Sequence, residues 1–152
     1  MTPVRQTGTH VPVMPMEVMS YLNIFTDGIY IDGTIGLGGH ATLILNRLSK
    51  KGHFIGIDRD AEALSLCTKR LSSHPSPFSL FHDSFHNLNA ILDGMGISQV
   101  NGILLDLGLS SLQLDSPLRG FTYTVDSDLD MRVDTSQKTK AIHILNKLPV
   151  KE

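Results

Sequence analysis

Apolar residues recur along this chain in two alternating rhythms, one near 3.6 and one near 2, and the alternation predicts the architecture. After Pro15, residues Val18, Leu22 and Phe25 share one helical face, and Asp27-Gly28 then turns the chain into a first strand expected from Ile29 to Gly36. A helix opening at Gly39 carries Ala41, Ile44, Leu45 and Leu48 inward, and Lys50, Lys51 and Gly52 stop it. His53 to Asp58 reads as the second strand, and Leu64, Cys67 and Leu71 mark one stripe of the next helix. Pro75 and Pro77 separate that helix from a third strand, Phe78 to His82. Leu88, Leu92 and Met95 then align on a helix from about Phe85 to Met95. A fourth strand, Gly102 to Asp106, is apolar until its tip, the pattern of a strand covered on both faces.

Four strand-helix repeats with right-handed crossovers predict an α/β fold, a Rossmann-like parallel sheet with helices on both faces. The ligand crevice of such a sheet lies beyond the carboxyl ends of its strands, and the informative polar residues fall there. Asp32 and a glycine-rich turn follow strand one, Asp58 follows strand two, Asp83 to Phe85 follow strand three, and Asp106 to Ser111 follow strand four. In Asp32-Gly33-Thr34-Ile35-Gly36-Leu37-Gly38-Gly39-His40, the glycines at 36, 38 and 39 permit positive φ and leave no Cβ between backbone and ligand. The helix that follows offers N–H groups and a positive dipole end to an anionic group. Asp58, about 20 residues past the glycines, is placed to accept the hydroxyls of a ribose. Carboxylates at neighbouring strand tips match a pyrophosphate poorly and suit a cofactor with a positive centre. A nicotinamide-dependent oxidoreductase shares the strand, glycine turn and distal acid, and stays open at this point. Against it stand the crowded acids and the lack of an identifiable tyrosine-lysine or histidine constellation.

Composition narrows the class. A chain of 152 residues, 41% hydrophobic and 18% charged, can bury one core, and its net charge of −2 argues against nucleic-acid binding by bulk positive charge. The single cysteine excludes a disulfide framework and fits a reducing compartment. No apolar run approaches the ~20 residues of a membrane span, and no signal-peptide pattern opens the chain, so a soluble cytoplasmic protein is expected. Cys67 reads as a packed core thiol. His82 and His86 are four apart but expected to point in different directions, and no other pair has zinc-ligand spacing, so no metal is expected. His40 is open to a role capping its helix, and Asp32 to one stabilising its turn. Asp126, Asp128, Asp130 and Asp134 read as a solvated acidic loop lacking the glycine and glutamate of a calcium loop. Lys138, Lys140, Lys147 and Lys151 read as solvated, and Arg119 and Arg132 as groups able to meet RNA phosphates.

Taken together, several stretches carry a resemblance. His10-Val11-Pro12-Val13, the glycine-histidine turn, Asp58-Arg59-Asp60, Asp106-Leu107-Gly108-Leu109-Ser110-Ser111-Leu112-Gln113-Leu114-Asp115, Arg119-Gly120-Phe121 and Leu129-Asp130-Met131-Arg132 closely resemble the bacterial small-subunit (16S) ribosomal RNA cytosine-N4 methyltransferases. The match runs in register from about His10 to Asp134, with a fainter one from Ala141 to Asn146. It implies a class I methyltransferase sheet using S-adenosylmethionine, with ribosomal RNA or the small subunit as partner. Residues 1–134 would form the first four strands of the core, and 135–152 the start of a helical insert. By resemblance, Gly38, Gly39 and His40 contact the methionine part of the cofactor, Asp58 holds the ribose and Phe85 borders the adenine. Asp106 and Gln113 supply further contacts beside the transferred methyl. Leu112, where the family usually has proline, and Ser127-Asp128, in place of glycine-proline, depart from the pattern in loops near the substrate.

The implied reaction is demanding in geometry. The exocyclic amine of cytosine is a weak nucleophile because its lone pair is delocalised into the ring, so rate comes from aligning nitrogen, methyl carbon and sulfur. Asp106 is the candidate acceptor for the amine N–H, with Ser110 and Ser111 holding a base that has left its stack. Family sheets of this type have seven strands, so the chain is expected to be an N-terminal portion, incomplete on its C-terminal side, with strand four an unpaired apolar edge. A noncatalytic fragment that binds cofactor, RNA or a partner protein is the remaining alternative.

Overall fold

The computed structural model describes residues 12–147; His10, Val11 and Lys151 lie outside them. The described chain runs α1 (Pro15–Leu22), β1 (Ile29–Asp32), α2 (Gly39–Leu45), β2 (His53–Asp58), α3 (Ala61–Leu71), β3 (Phe78–His82), a 3₁₀ turn (Phe85–Asn87), α4 (Leu88–Met95), β4 (Gly102–Leu104), α5 (Ser111–Asp115), a second 3₁₀ turn (Pro117–Arg119) and α6 (Ala141–Lys147). The strands form one parallel sheet in the order β3-β2-β1-β4, with Ile31 facing Ile55 on one side and Ile103 on the other.

Period-2 alternation divides the core. Tyr30 and Phe54 point to one face and pack with Ile44 and Leu45 of α2 and with Leu64, Cys67 and Leu71 of α3. Ile31, Ile55 and Ile57 point to the other face, where Ile91 of α4 joins them. Helices therefore cover both faces, as the sequence pattern predicts, and the fold is a Rossmann-like α/β sheet.

Several boundaries differ from expectation, each for a local reason. β1 ends at Asp32 rather than Gly36, because the Asp32 carboxylate accepts from the Thr34 N–H at 3.0 Å and bends the backbone out of the ladder. Phe25 is exposed rather than inward. Asn23 adopts a left-handed φ of 44°, ending α1 and breaking the helical phase, and Met19 is the residue α1 buries. The helix expected from Phe85 begins instead as a 3₁₀ turn, and Ile91 is its most buried residue. β4 is shorter than expected and is not covered on both faces. Among the described residues it pairs only with β1, and Ile103 and Leu105 remain 47% and 45% exposed. The expected edge is therefore open.

Candidate functional site

The strand ends open into a crevice of about 690 Å³ whose lining comes from the glycine turn, the tip of β2, Phe85 and the loop from Asp106 to Gln113. That volume lies within the range of small-molecule sites, roughly 300–1,000 Å³. The glycine turn forms the floor. Gly36 holds a φ of 52°, and a Cβ there would come no nearer to a neighbour than 3.9 Å from the Thr34 carbonyl oxygen, so its backbone lies bare beneath the opening. At Gly33 a Cβ would fall 2.6 Å from Leu105 Cδ2 and 3.0 Å from Phe85 Cβ, so those two side chains pack directly on the backbone.

Gly38 and Gly39 have separate duties. Gly38, with φ of 78°, caps α2, and its Cα faces the core: a Cβ there would sit 2.7 Å from Cys67 Sγ. It is absent from the crevice lining, although the resemblance places it among the cofactor contacts. Gly39 does line the crevice, and a Cβ on it would meet Pro12 at 3.1 Å. His40 is buried and lines the crevice, with Nε2 3.9 Å from Asp106 Oδ2. The cap of α2 is Gly38, without a side-chain bond, so His40 is not its capping group.

The β2 tip turns Asp58 toward the opening. Its two oxygens accept from Gly36 N at 2.8 Å and Asp60 N at 2.9 Å, which fixes the carboxylate against both the glycine turn and the start of α3. Beneath it, Asp32 is almost wholly buried; burial pushes its carboxyl up to about 7, opposed by the hydrogen bonds from Thr34 and reinforced by Asp58 and Asp106. Asp32 shapes the turn through its bonds from the Thr34 N–H and hydroxyl, and it lies beneath the crevice lining. Across the crevice, the Asp106 N–H donates to Thr34 Oγ1 at 2.7 Å, so one threonine links the tips of β1 and β4.

Ser110, Ser111 and Gln113 all line the crevice. Ser110 caps α5 in a reciprocal box, accepting from Gln113 N while its own N–H donates to Gln113 Oε1 at 3.0 Å. The Gln113 amide then donates to Asp60 Oδ2 at 3.0 Å. Its polar atoms are thus spent on the protein, and Gln113 shapes the wall.

Asp60 and Arg119 are the residues sequence reasoning missed or misplaced. Asp60 caps α3, a role that its place before Ala61-Glu62 signals, and it also receives Arg119 Nη2 at 2.6 Å. Burial pushes the Asp60 carboxyl up, but the bonds from Gln113 and Arg119 outweigh it and hold the group below the usual carboxylate value. Arg119 is itself 6% exposed and unavailable to RNA phosphates, which corrects the expectation. Arg132 is likewise engaged: it forms a bidentate pair with Asp130 at 2.6 and 2.7 Å and donates to the carbonyls of Thr135 and Gln137. Lys140 approaches Asp130 at 3.3 Å, so neither Lys140 nor Asp130 is merely solvated. Arg132 is the leading reason that the Asp130 carboxyl lies far below its ordinary value.

The remaining candidates are quiet. Burial pushes the Cys67 thiol up to about 12, with the Asp32 charge adding to it, so it is a core group and no nucleophile. His82 Nε2 bonds to the Arg59 carbonyl at 3.0 Å, and among the described residues no group of three or more His, Cys, Asp or Glu is arranged to hold a metal. No described helix is long and apolar enough to cross a membrane.

The model of the MraW methylase family matches residues 7–152. The chain is 44% identical over 137 residues to ribosomal RNA small subunit methyltransferase H of Caldicellulosiruptor bescii, covering 90% of this chain and 44% of that one. It is 45% identical over 143 residues to the enzyme of the same name from Caldicellulosiruptor saccharolyticus, covering 94% and 46% respectively. The chain thus spans less than half the length of these curated relatives. A crystal structure of an SAM-dependent O-methyltransferase from Thermotoga maritima superposes with a TM-score of 0.52 at 14% identity, over 68% of this chain and 38% of that one, a likeness of fold.

Proposed function

The chain belongs to the MraW methylase family, and from that premise we propose that its crevice binds S-adenosylmethionine for N4-methylation of a cytosine in small-subunit ribosomal RNA. The observation that carries the cofactor reading is the pairing of a bare glycine floor with Asp58 fixed one strand away by Gly36 N and Asp60 N. Each Asp58 oxygen keeps acceptor capacity beyond its backbone bond, which suits the two hydroxyls of a ribose.

The residues present fit the cofactor. Asp58 and Asp106, both in the lining, make the surroundings acidic, favouring a sulfonium over a phosphate. Phe85 offers an apolar face beside the Gly33 floor for adenine. Gly39 and His40 line the end of the crevice assigned to the methionine part. When bound, the cofactor supplies an electrophilic methyl group. The protein's own part is positional: Asp106, tethered by its N–H to Thr34, accepts a hydrogen bond from the cytosine amine and orients it, and Ser111 borders the space for the flipped base. Family membership leaves the nicotinamide reading without support. The names of the relatives, ribosomal RNA small subunit methyltransferase H, support the choice of substrate.

Isothermal titration tests the cofactor assignment. Micromolar binding of S-adenosylmethionine or S-adenosylhomocysteine is expected, with at least about a tenfold loss in Asp58→Ala, equivalent to ~1.4 kcal/mol. Absence of heat with both ligands in a folded sample overturns it. The open edge of β4, with Ile103 and Leu105 exposed, favours a second reading in which this chain holds cofactor without transferring methyl by itself. Radiolabelled methyl appearing in small-subunit RNA with this chain alone rejects that alternative.

A further inference from the structure

One guanidinium ties together parts of the crevice that are far apart in sequence. Arg119 lies on the short 3₁₀ turn behind the loop wall, with no place in the crevice lining. Its Nη2 donates to Asp60 Oδ2 at 2.6 Å and to the Val133 carbonyl at 2.7 Å, and its Nη1 lies 3.4 Å from Glu62 Oε2. The same Asp60 oxygen accepts from Gln113 Nε2 at 3.0 Å, while the Asp60 backbone N–H donates to Asp58 Oδ1 at 2.9 Å. Gln113 and Val133 both line the crevice, and so does Asp58. The Arg119 carbonyl also accepts from Met131 N at 3.0 Å, closing the loop behind it.

We propose that Arg119 is a positioning residue of the cofactor site: through Asp60 it locks Gln113 and Val133 to the Asp58 turn, so that a ligand gripped by Asp58 also steadies the loop around Arg119. The inference rests on the cofactor reading above and deepens it. Its physical basis is economy of partners. Asp60 is 2% exposed and caps α3 with its other oxygen, bonding Glu62 N at 3.1 Å, so it has little freedom to move without moving the helix start. Any shift of Asp58 is felt at the Asp60 amide, and any shift of Asp60 at Arg119. The charged pair is desolvated and held by several hydrogen bonds at once, the condition under which such contacts act as rigid links.

The test is hydrogen exchange of the full chain with and without S-adenosylhomocysteine, read on a peptide covering residues 117–121, which do not line the crevice. In the wild-type chain, ligand is expected to slow exchange in that peptide by at least about threefold. In the uncharged double variant Asp60→Asn with Arg119→Gln, which keeps an N-cap and avoids a lone buried charge, the slowing is expected to vanish and ligand affinity to fall by about tenfold, ~1.4 kcal/mol. Arg119→Lys, which keeps the charge but cannot bridge Asp60 and the Val133 carbonyl in the same plane, is expected to recover part of the affinity and little of the slowing. A purely structural role would raise exchange equally with and without ligand. Ligand binding detected by calorimetry with no slowing at 117–121 in the wild-type chain overturns the proposal while sparing the cofactor reading. Absence of binding to the wild-type chain removes both. If the double variant does not fold, the wild-type and Arg119→Lys arms still decide.

Discussion

The Asp58 wall of the crevice stands on strands paired on both sides and on isoleucines without exposed surface, whereas the opposite wall, from Asp106 to Val133, is fastened by buried charges. Beneath the first wall, Ile31, Ile55 and Ile57 share the load with Ile91 and several partly buried neighbours. Across the crevice, Arg119 and Arg132 gather most of the fastening into two guanidinium groups. Apolar burial is non-directional and spread over many contacts, so it degrades gradually. A buried ion pair is directional, and losing one partner strands the other without solvent.

That contrast can be broken at four points. The largest effect is expected for Arg119→Met, which leaves Asp60 buried without its cation at a cost of ~4 kcal/mol, confined to the loop wall. Limited proteolysis should cut between residues 106 and 134 while the strands stay protected; uniform resistance to cleavage would refute the local assignment. Next, Ile55→Ala should lower global stability in urea by ~3 kcal/mol through a cavity under the other wall. A loss below ~1 kcal/mol would mean that the core collapses around the gap.

The third concerns pH. Burial pushes the folded Asp32 carboxyl up to about 7 from the ordinary value of 3.8, so between those values the folded state holds a proton that the unfolded chain has released. Stability from this group is complete below about pH 4 and is lost as pH rises through 7, a difference of ~2.5 kcal/mol between pH 5 and pH 8. Urea melts of wild type and Asp32→Asn should therefore diverge in pH dependence across that window, the variant being flatter; parallel curves would count against the buried acid. The smallest effect is Ser110→Ala, which removes one half of the α5 capping box for ~1 kcal/mol and should raise exchange in residues 111–115 alone. No change there would show that Gln113 holds α5 by itself through Asp60.

The same division governs what the sequence reveals. The Asp58 wall was legible because its signals are local: alternating apolar residues for the strands, glycine for the turn, an acid at the β2 tip. The errors on that side are matters of one turn, such as β1 yielding to the Asp32–Thr34 bond, or Phe25 losing its phase at Asn23. The loop wall was not legible. Arg119 pairs with Asp60 across 59 positions of chain, and nothing near either residue announces the other. An arginine beside glycine and phenylalanine reads as an RNA contact, and only the fold turns it inward. Gly38 is a subtler case, since a glycine in a ligand-binding turn looks like a contact whether it faces the ligand or, as here, the helix behind.

The helix behind that glycine has a use of its own. Cys67 has no solvent-exposed surface and fills the space a side chain at Gly38 would need, so α3 gauges the turn from the rear. Its sulfur stays out of reach of alkylating reagents until that gauge lifts. The pace of its labelling therefore becomes a clock for the moments when floor and helix part company.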